Sequence, residues 1–186
     1  MNFLDQLNKD QRDLLVSLPY RVGLFVSQSD NTGGDDSDAD EMLALDNIIT
    51  GYSQEIFCAE TVQYIVSETV KRKSEWSSWS DNLDAIGGEC HKALDILYDT
   101  VDEKEVNAFK NHLLEIGESV ALAFREYGDS TSMADKIKMR MIFYKEKKQA
   151  KKVGVIYKNW EQFINISLDE RKALRSVATA LDTIYI

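Results

Sequence analysis

The stretch Leu18-Pro19-Tyr20-Arg21-Val22-Gly23-Leu24-Phe25-Val26 decides the fold class of this 186-residue chain. Its residues are apolar on nearly every side of a helix, which is typical of an element buried at the centre of a domain. Proline fits the first turn of a helix, so we expect Pro19 to begin a new helix. Apolar residues already recur at helical spacing before it, at Leu4, Leu7, Leu14 and Leu15.

Helix start signals continue along the rest of the chain. Asp36 or Ser37 can cap a helix, and Thr100 and Ser167 each precede a glutamate by three residues, which is the capping-box pattern. The chain has only one proline and nine glycines, so chain breakers are few. These features predict an all-α domain, a compact bundle of about seven helices joined by short connections.

Two details of this bundle concern its tryptophans and a glycine pair. A helix carries Val62–Val70, and its continuation through Trp76 and Trp79 stays open; we expect both tryptophans to pack in the core or in an interface. Another helix is expected over Asn82–Val101. The pair Gly87–Gly88 lies inside that helix and predicts a kink or a close helix crossing.

The segment 136–157 is strongly basic and allows two structures. Ile137, Met139 and Met141 alternate with charged residues, which is a strand signal, but Ile137 and Met141 also fit one helical face with Tyr144. The continuation is rich in Lys, Glu, Gln and Ala, and this composition favours the helix. The alternative is a small β-hairpin.

The composition limits the classes of partner. The net charge is −10, whereas nucleic-acid binding needs clustered Lys and Arg that face phosphates, and an anionic membrane repels an acidic protein. No apolar run approaches the roughly 20 residues of a membrane span. The length fits a single domain over residues 1–186. We therefore expect neither nucleic acid nor a membrane as a partner.

The cysteines and the first residues predict a cytoplasmic protein. Cys58 and Cys90 are the only cysteines, and they form neither a disulfide framework nor a zinc motif. We expect both to be buried free thiols in a reducing compartment. The segment Met1–Leu7 lacks the charged start and apolar core of a signal peptide.

The segment Asp30–Glu41 is the part of the sequence that indicates chemistry. It holds six carboxylates, two adjacent glycines and no base. Carboxylates this close repel one another unless water screens them or a cation neutralises them. The segment is therefore either a solvated loop that also caps a helix, or a site for a hard divalent cation such as Ca²⁺ or Mg²⁺. The candidate metal ligands are Asp30, Asp36, Asp38, Asp40 and Glu41, with Asp102 and Glu105 as a second group.

A regular EF-hand loop does not fit this segment. Counting from Asp30 places Glu41 at the twelfth position, but Asp35 then occupies the sixth, where the loop needs glycine. Counting from Ser29 corrects the glycine but puts Asp40 at the twelfth position. We therefore expect a less regular cation site.

No residue is assigned a catalytic role. The chain has no Gly-x-Ser-x-Gly elbow and no phosphate-binding P-loop. His91 and His112 are the only histidines, too few to suggest a zinc or di-iron site, and we expect them at the surface or its boundary. An enzyme that uses Cys90 with His91 is the third and weakest hypothesis, because no local pattern supports it.

Three stretches together carry a family resemblance: the apolar helix Leu18–Val26, the acidic helix start Asp38–Leu45, and the tail Ile166–Leu174 with Val177–Leu181. In these stretches, and in layout over residues 12–183, the chain resembles the TerB-like family of helical domains linked to tellurite resistance. The resemblance implies a non-enzymatic cytosolic protein that repeats helix, acidic turn and helix. It also implies that divalent cations bind through those turns in a stress-response setting.

A metal-free protein–protein interaction module is the alternative function. It rests on the opposed acidic and basic segments of the chain and on its aromatic residues. The partner would be another protein or a second copy of the chain in a homo-oligomer.

Overall fold

A computed structural model describes residues 2–29, 35–54, 59–123, 133–154 and 157–186, without the side chains of 35–41, 133–138 and 161. No strand occurs in these ranges, so the predicted all-α fold is confirmed. The described residues form eight α-helices where about seven were expected: α1 Lys9–Ser27, α2 Asp35–Ser53, α3 Glu60–Lys71, α4 Ile86–Thr100, α5 Glu103–Ala123, α6 Met133–Lys152, α7 Trp160–Ile164 and α8 Leu168–Ala180. Three 3-10 helices accompany them, at Phe3–Gln6, Lys73–Ser80 and Leu83–Ala85.

Helix α1 lies at the centre of the bundle, as its apolar sequence predicts. Every residue from Leu15 to Leu24 is buried. The helix packs against α2, α3, α4, α5 and α8. The stretch that decides the fold class is thus surrounded by other helices.

The prediction that Pro19 begins a helix is wrong, because α1 runs through it without interruption. Proline lacks the N–H that would bond the carbonyl of Leu15, and its ring crowds the preceding turn. The buried hydroxyl of Thr69 in α3 donates to the carbonyl oxygen of Val16 at 2.6 Å, within that crowded turn. A partner helix therefore supplies a hydrogen bond where the proline disturbs the helix.

Arg21 fastens α1 to the segment that follows α3. Its guanidinium donates to the carbonyl oxygens of Trp79, Asp81 and Asn82 and forms a two-point pair with Glu89 of α4, at 2.9 and 3.1 Å. Asn82 has a φ of 54°, a left-handed conformation that asparagine tolerates, and this turn lies between the 3-10 helices. The arginine thereby joins α1, the 3-10 segment and α4.

The two tryptophans are buried in the core, as expected. Trp76 stacks on Tyr20 of α1 with a centroid separation of 4.7 Å, and Trp79 lies 6.3 Å from the same ring. They do not continue α3, which ends at Lys71; they lie in the separate 3-10 helix Lys73–Ser80.

One predicted capping box is confirmed and the other is wrong. The Ser167 hydroxyl accepts from the Glu170 N–H, and the Glu170 carboxylate accepts from the Ser167 N–H. At α5, however, Asp102 is the cap, and the hydroxyl of Thr100 donates back to the carbonyl oxygen of Ile96 in α4. A carboxylate next to the helix start outcompetes a hydroxyl two residues earlier.

A close helix crossing occurs at Gly23, whereas the pair Gly87–Gly88 has no such role. A Cβ built on Gly23 would lie 2.4 Å from Leu45 Cδ1 and 3.3 Å from Ile116 Cγ2, so α1, α2 and α5 approach closely there. A Cβ at Gly87 or Gly88 meets nothing within 4 Å.

The basic segment 136–152 is helical throughout, so the hairpin alternative is wrong there. The buried residues of α6 recur at helical spacing, at Met139, Phe143, Glu146 and Ala150. Phe143 packs edge-to-face against Phe163 of α7, with a centroid separation of 5.1 Å. Of the apolar residues that alternate with charges, Met139 lies on the side of α6 that packs against α7, whereas Met141 is exposed.

Candidate functional site

Helix α2 begins inside the acidic segment, at Asp35, just before the expected caps Asp36 and Ser37. The candidate ligands Asp36, Asp38, Asp40 and Glu41 therefore lie in its first two turns, although their side chains are not among those described. Asp30 lies outside the described residues. The structure places four of the five predicted ligands on one helix.

The helical spacing sorts these positions into two pairs. Asp36 and Asp40 are four residues apart, and Asp38 and Glu41 are three apart, so each pair spans about one turn on one side of the helix. The two pairs lie on different sides, since adjacent helical residues are rotated by about 100°.

The second predicted group, Asp102 and Glu105, caps helices. Asp102 Oδ1 accepts from the Glu105 N–H at 2.9 Å, at the start of α5. Glu105 Oε2 accepts from the Thr61 N–H at 2.8 Å, at the start of α3. Both carboxylates satisfy helix N-termini, where negative charge is favourable, and this explains their presence without a metal.

The geometry does not favour the Cys90–His91 enzyme. Cys90 is fully buried in α4, and burial raises the pKa of its thiol to about 12, so it carries no thiolate at neutral pH. His91 is exposed on the same helix. Cys58 lies outside the described residues.

His112 is buried, which corrects the expectation of a surface or boundary position. It lies in α5 and meets the ring of Tyr52 edge-on, with a centroid separation of 5.0 Å. Burial lowers the pKa of its imidazole to about 4, so the ring is neutral at pH 7.

Sequence reasoning missed a charged cleft beside α5 and α7. Lys158 Nζ donates to Glu118 Oε1 at 2.8 Å and to the Tyr185 hydroxyl at 2.7 Å, and that hydroxyl donates to the same carboxylate oxygen at 2.9 Å. The adjoining cavity is about 640 Å³, and Leu122, Val153 and other apolar residues form part of its wall. These charged residues come from distant parts of the chain, so no local pattern reveals them.

Burial dominates the electrostatics of this cleft. It lowers the pKa of Lys158 although the neighbouring Glu118 opposes the shift, and it raises the pKa of Tyr185. A second network lies nearby, in which Glu146 accepts from Arg171, Arg175 and the Tyr157 hydroxyl. The polar groups are satisfied by one another, so the cleft ties the C-terminal residues and α6 to the bundle.

The described residues lack a metal cluster and a membrane-spanning helix. No group of three or more His, Cys, Asp or Glu side chains in that part of the chain is arranged to hold a metal ion. None of its helices combines the length and apolar character that crossing a membrane would require.

Comparisons of the chain with protein-family models, with curated proteins and with solved structures find no match. The TerB-like resemblance therefore stays a prediction from the three stretches that carry it.

Proposed function

We propose that this chain is a non-enzymatic, cytosolic helical protein of the TerB-like type that binds a divalent cation, Ca²⁺ or Mg²⁺, through the segment Asp30–Glu41. The observation that carries the proposal is the start of α2 at Asp35, within a stretch of six carboxylates that contains no base. Carboxylate oxygens are the ligands that these hard cations prefer.

The carboxylate spacing supports a cation that bridges one helical turn. Like charges three or four residues apart on a helix repel, and a cation between Asp38 and Glu41 would relieve the repulsion of that pair, while Asp36 and Asp40 add negative charge close by. Asp30 would add an oxygen from the preceding segment. The partial positive charge of a helix N-terminus opposes a cation, so we expect weak binding, on the order of millimolar.

The other side chains that could act in catalysis or bind a metal have structural roles, and this also supports a binding function. Cys90 is buried and protonated, Asp102 and Glu105 cap helices, and Lys158 pairs with Glu118. The described residues thus favour a protein that binds over one that catalyses.

Thermal unfolding tests the proposal. A ligand at ten times its dissociation constant stabilises by about 1.4 kcal/mol, which corresponds to a rise in Tm of roughly 3 to 6 °C for a domain of this size. We expect this rise in 10 mM CaCl₂ or MgCl₂, measured against NaCl of equal ionic strength. Asp38→Asn/Glu41→Gln should abolish it, whereas Asp84→Asn/Asp99→Asn, which removes two exposed acids elsewhere, should retain it. An equal rise in both variants would show general charge screening and overturn the proposal.

The second candidate function is an interaction module without a metal. Helix α6 favours it, because the side of this helix that faces away from the bundle exposes bases together with Met141 and Tyr144, which are 70% and 67% exposed. Aromatic and methionine side chains are enriched at protein interfaces.

A further inference from the structure

Helix α6 has two sharply different sides. Its buried side consists of Met139, Phe143, Glu146 and Ala150, which face the aromatic residues of α7 and the arginines of α8. Its other side, from residue 139 to residue 152, is exposed. This exposed side carries six bases and no acid: Arg140, Lys145, Lys147, Lys148, Lys151 and Lys152.

Apolar side chains lie at the centre of this basic face. Met141 and Tyr144 are three residues apart, so they are neighbours on the helix surface, and bases surround them on the adjacent turns. Interfaces concentrate their binding energy in such central aromatic residues inside a charged rim. We call the six bases with Met141 and Tyr144 the α6 face.

The charge of the α6 face selects its partner. Helix α6 contains eight basic and two acidic residues, so its formal charge is +6 within a chain of net charge −10. A membrane is disfavoured because the apolar stripe of α6, which would have to enter lipid, is already packed against α7. Nucleic acid is disfavoured because the rest of the chain repels phosphate. The complementary partner is an acidic protein surface.

This chain itself supplies such a surface. The start of α2, Asp35–Glu41, holds five carboxylates and no base, opposite in sign to the six exposed bases of the α6 face. We propose that the α6 face binds the acid-rich start of α2, Asp35–Glu41, in a second copy of this chain. The proposal rests on the second candidate function and does not require a cation.

Two such contacts would close a pair of molecules, because each copy offers one basic face and one acidic helix start. The attraction acts between solvated charges, so it weakens when salt shortens the screening length from about 30 Å at 0.01 M to about 3 Å at 1 M. Association should therefore be salt-dependent, with Tyr144 adding a contact that salt does not screen.

Light scattering on the whole chain tests the proposal. At tens of micromolar protein we expect an apparent mass near twice 21.2 kDa in 20 mM NaCl and a monomer in 500 mM NaCl. Tyr144→Ser should raise the dissociation constant by at least about tenfold at low salt. A monomer at both salt concentrations overturns the proposal, and so does a dimer that ignores salt.

Charge reversal locates the contact. Lys147→Glu/Lys148→Glu/Lys151→Glu should be monomeric at low salt. The matched control Lys9→Glu/Lys92→Glu/Lys104→Glu changes the net charge equally at exposed positions elsewhere and should still associate. Circular dichroism confirms that each variant is folded. Equal loss of association in both triple variants would overturn the proposal.

A mixing experiment gives the sharpest result. Asp36→Lys/Asp38→Lys/Asp40→Lys should also be monomeric, because its acidic helix start now repels the α6 face. Mixed with the α6 triple variant in equal amounts, it should restore the doubled mass, since each reversed surface then meets an opposite charge. If the mixture stays monomeric, the pairing is wrong. If native chain stays monomeric but binds polyglutamate through the α6 bases, an interaction module survives and its partner is another acidic protein.

Discussion

Replacement of Arg21 by methionine should destabilise the protein more than any single surface change. The methionine keeps much of the side-chain volume but removes all five donated hydrogen bonds, leaving Glu89 and three backbone carbonyls without their partner. Removing one member of a buried ion pair costs about 3 to 5 kcal/mol. For a domain of this size that loss lowers Tm by roughly 6 to 20 °C. Urea unfolding followed by tryptophan fluorescence and circular dichroism measures it.

Two companion variants separate the ion pair from the carbonyl contacts. Arg21→Met/Glu89→Met should recover only part of the loss, because the carbonyls of Trp79, Asp81 and Asn82 still lack a donor. Arg175→Met removes an arginine that is 45% exposed and should cost about 1 kcal/mol or less. If Arg21→Met costs no more than Arg175→Met, the role assigned to Arg21 is refuted.

Three further results are expected. In a Cys58→Ser variant, Cys90 should resist thiol reagents at pH 8 until the protein unfolds, because its thiol is buried with a pKa of about 12; rapid native labelling would contradict this. Burial lowers the pKa of His112 from 6.5 to about 4, so the unfolded state binds more protons than the folded state between these pH values. The free energy of unfolding should therefore be unaffected by His112 above pH 6.5 and should fall by up to about 3 kcal/mol as the pH drops towards 4. Urea unfolding of His112→Phe should lack this pH dependence. Gly88→Ala should stabilise α4 by up to ~1 kcal/mol, whereas Gly23→Ala should destabilise by about 1 to 3 kcal/mol through overpacking; thermal shifts of the same sign would refute the assigned packing.

Local patterns were enough to predict the fold class. The apolar stretch around Tyr20 predicts a central helix, and the Ser167 box predicts the start of α8, because both signals depend on neighbouring residues. The prediction at Pro19 is wrong because the helix is held there by its surroundings, which include a hydrogen bond from Thr69, fifty residues later in the chain, to the turn before the proline. A long-range hydrogen bond of this kind leaves no local trace.

In the candidate site, too, some features are visible in the local sequence and others depend on the folded structure. The carboxylate density at Asp30–Glu41 is visible in the sequence, but the helix start at Asp35 that sorts the acids into pairs is not. The cleft of Lys158 and Glu118 was missed because its members lie 40 residues apart and look like ordinary surface charges. Burial, which a sequence does not display, lowers the pKa of Lys158.

Isothermal titration calorimetry with CaCl₂ and MgCl₂ tests the central claim most directly. Native chain should bind at least one of these ions with a dissociation constant on the order of millimolar. Asp38→Asn/Glu41→Gln should lose that heat, and Asp84→Asn/Asp99→Asn, which carries the same net charge, should keep it. The claim is contradicted if native chain shows no binding heat with either ion, or if the two double variants behave alike.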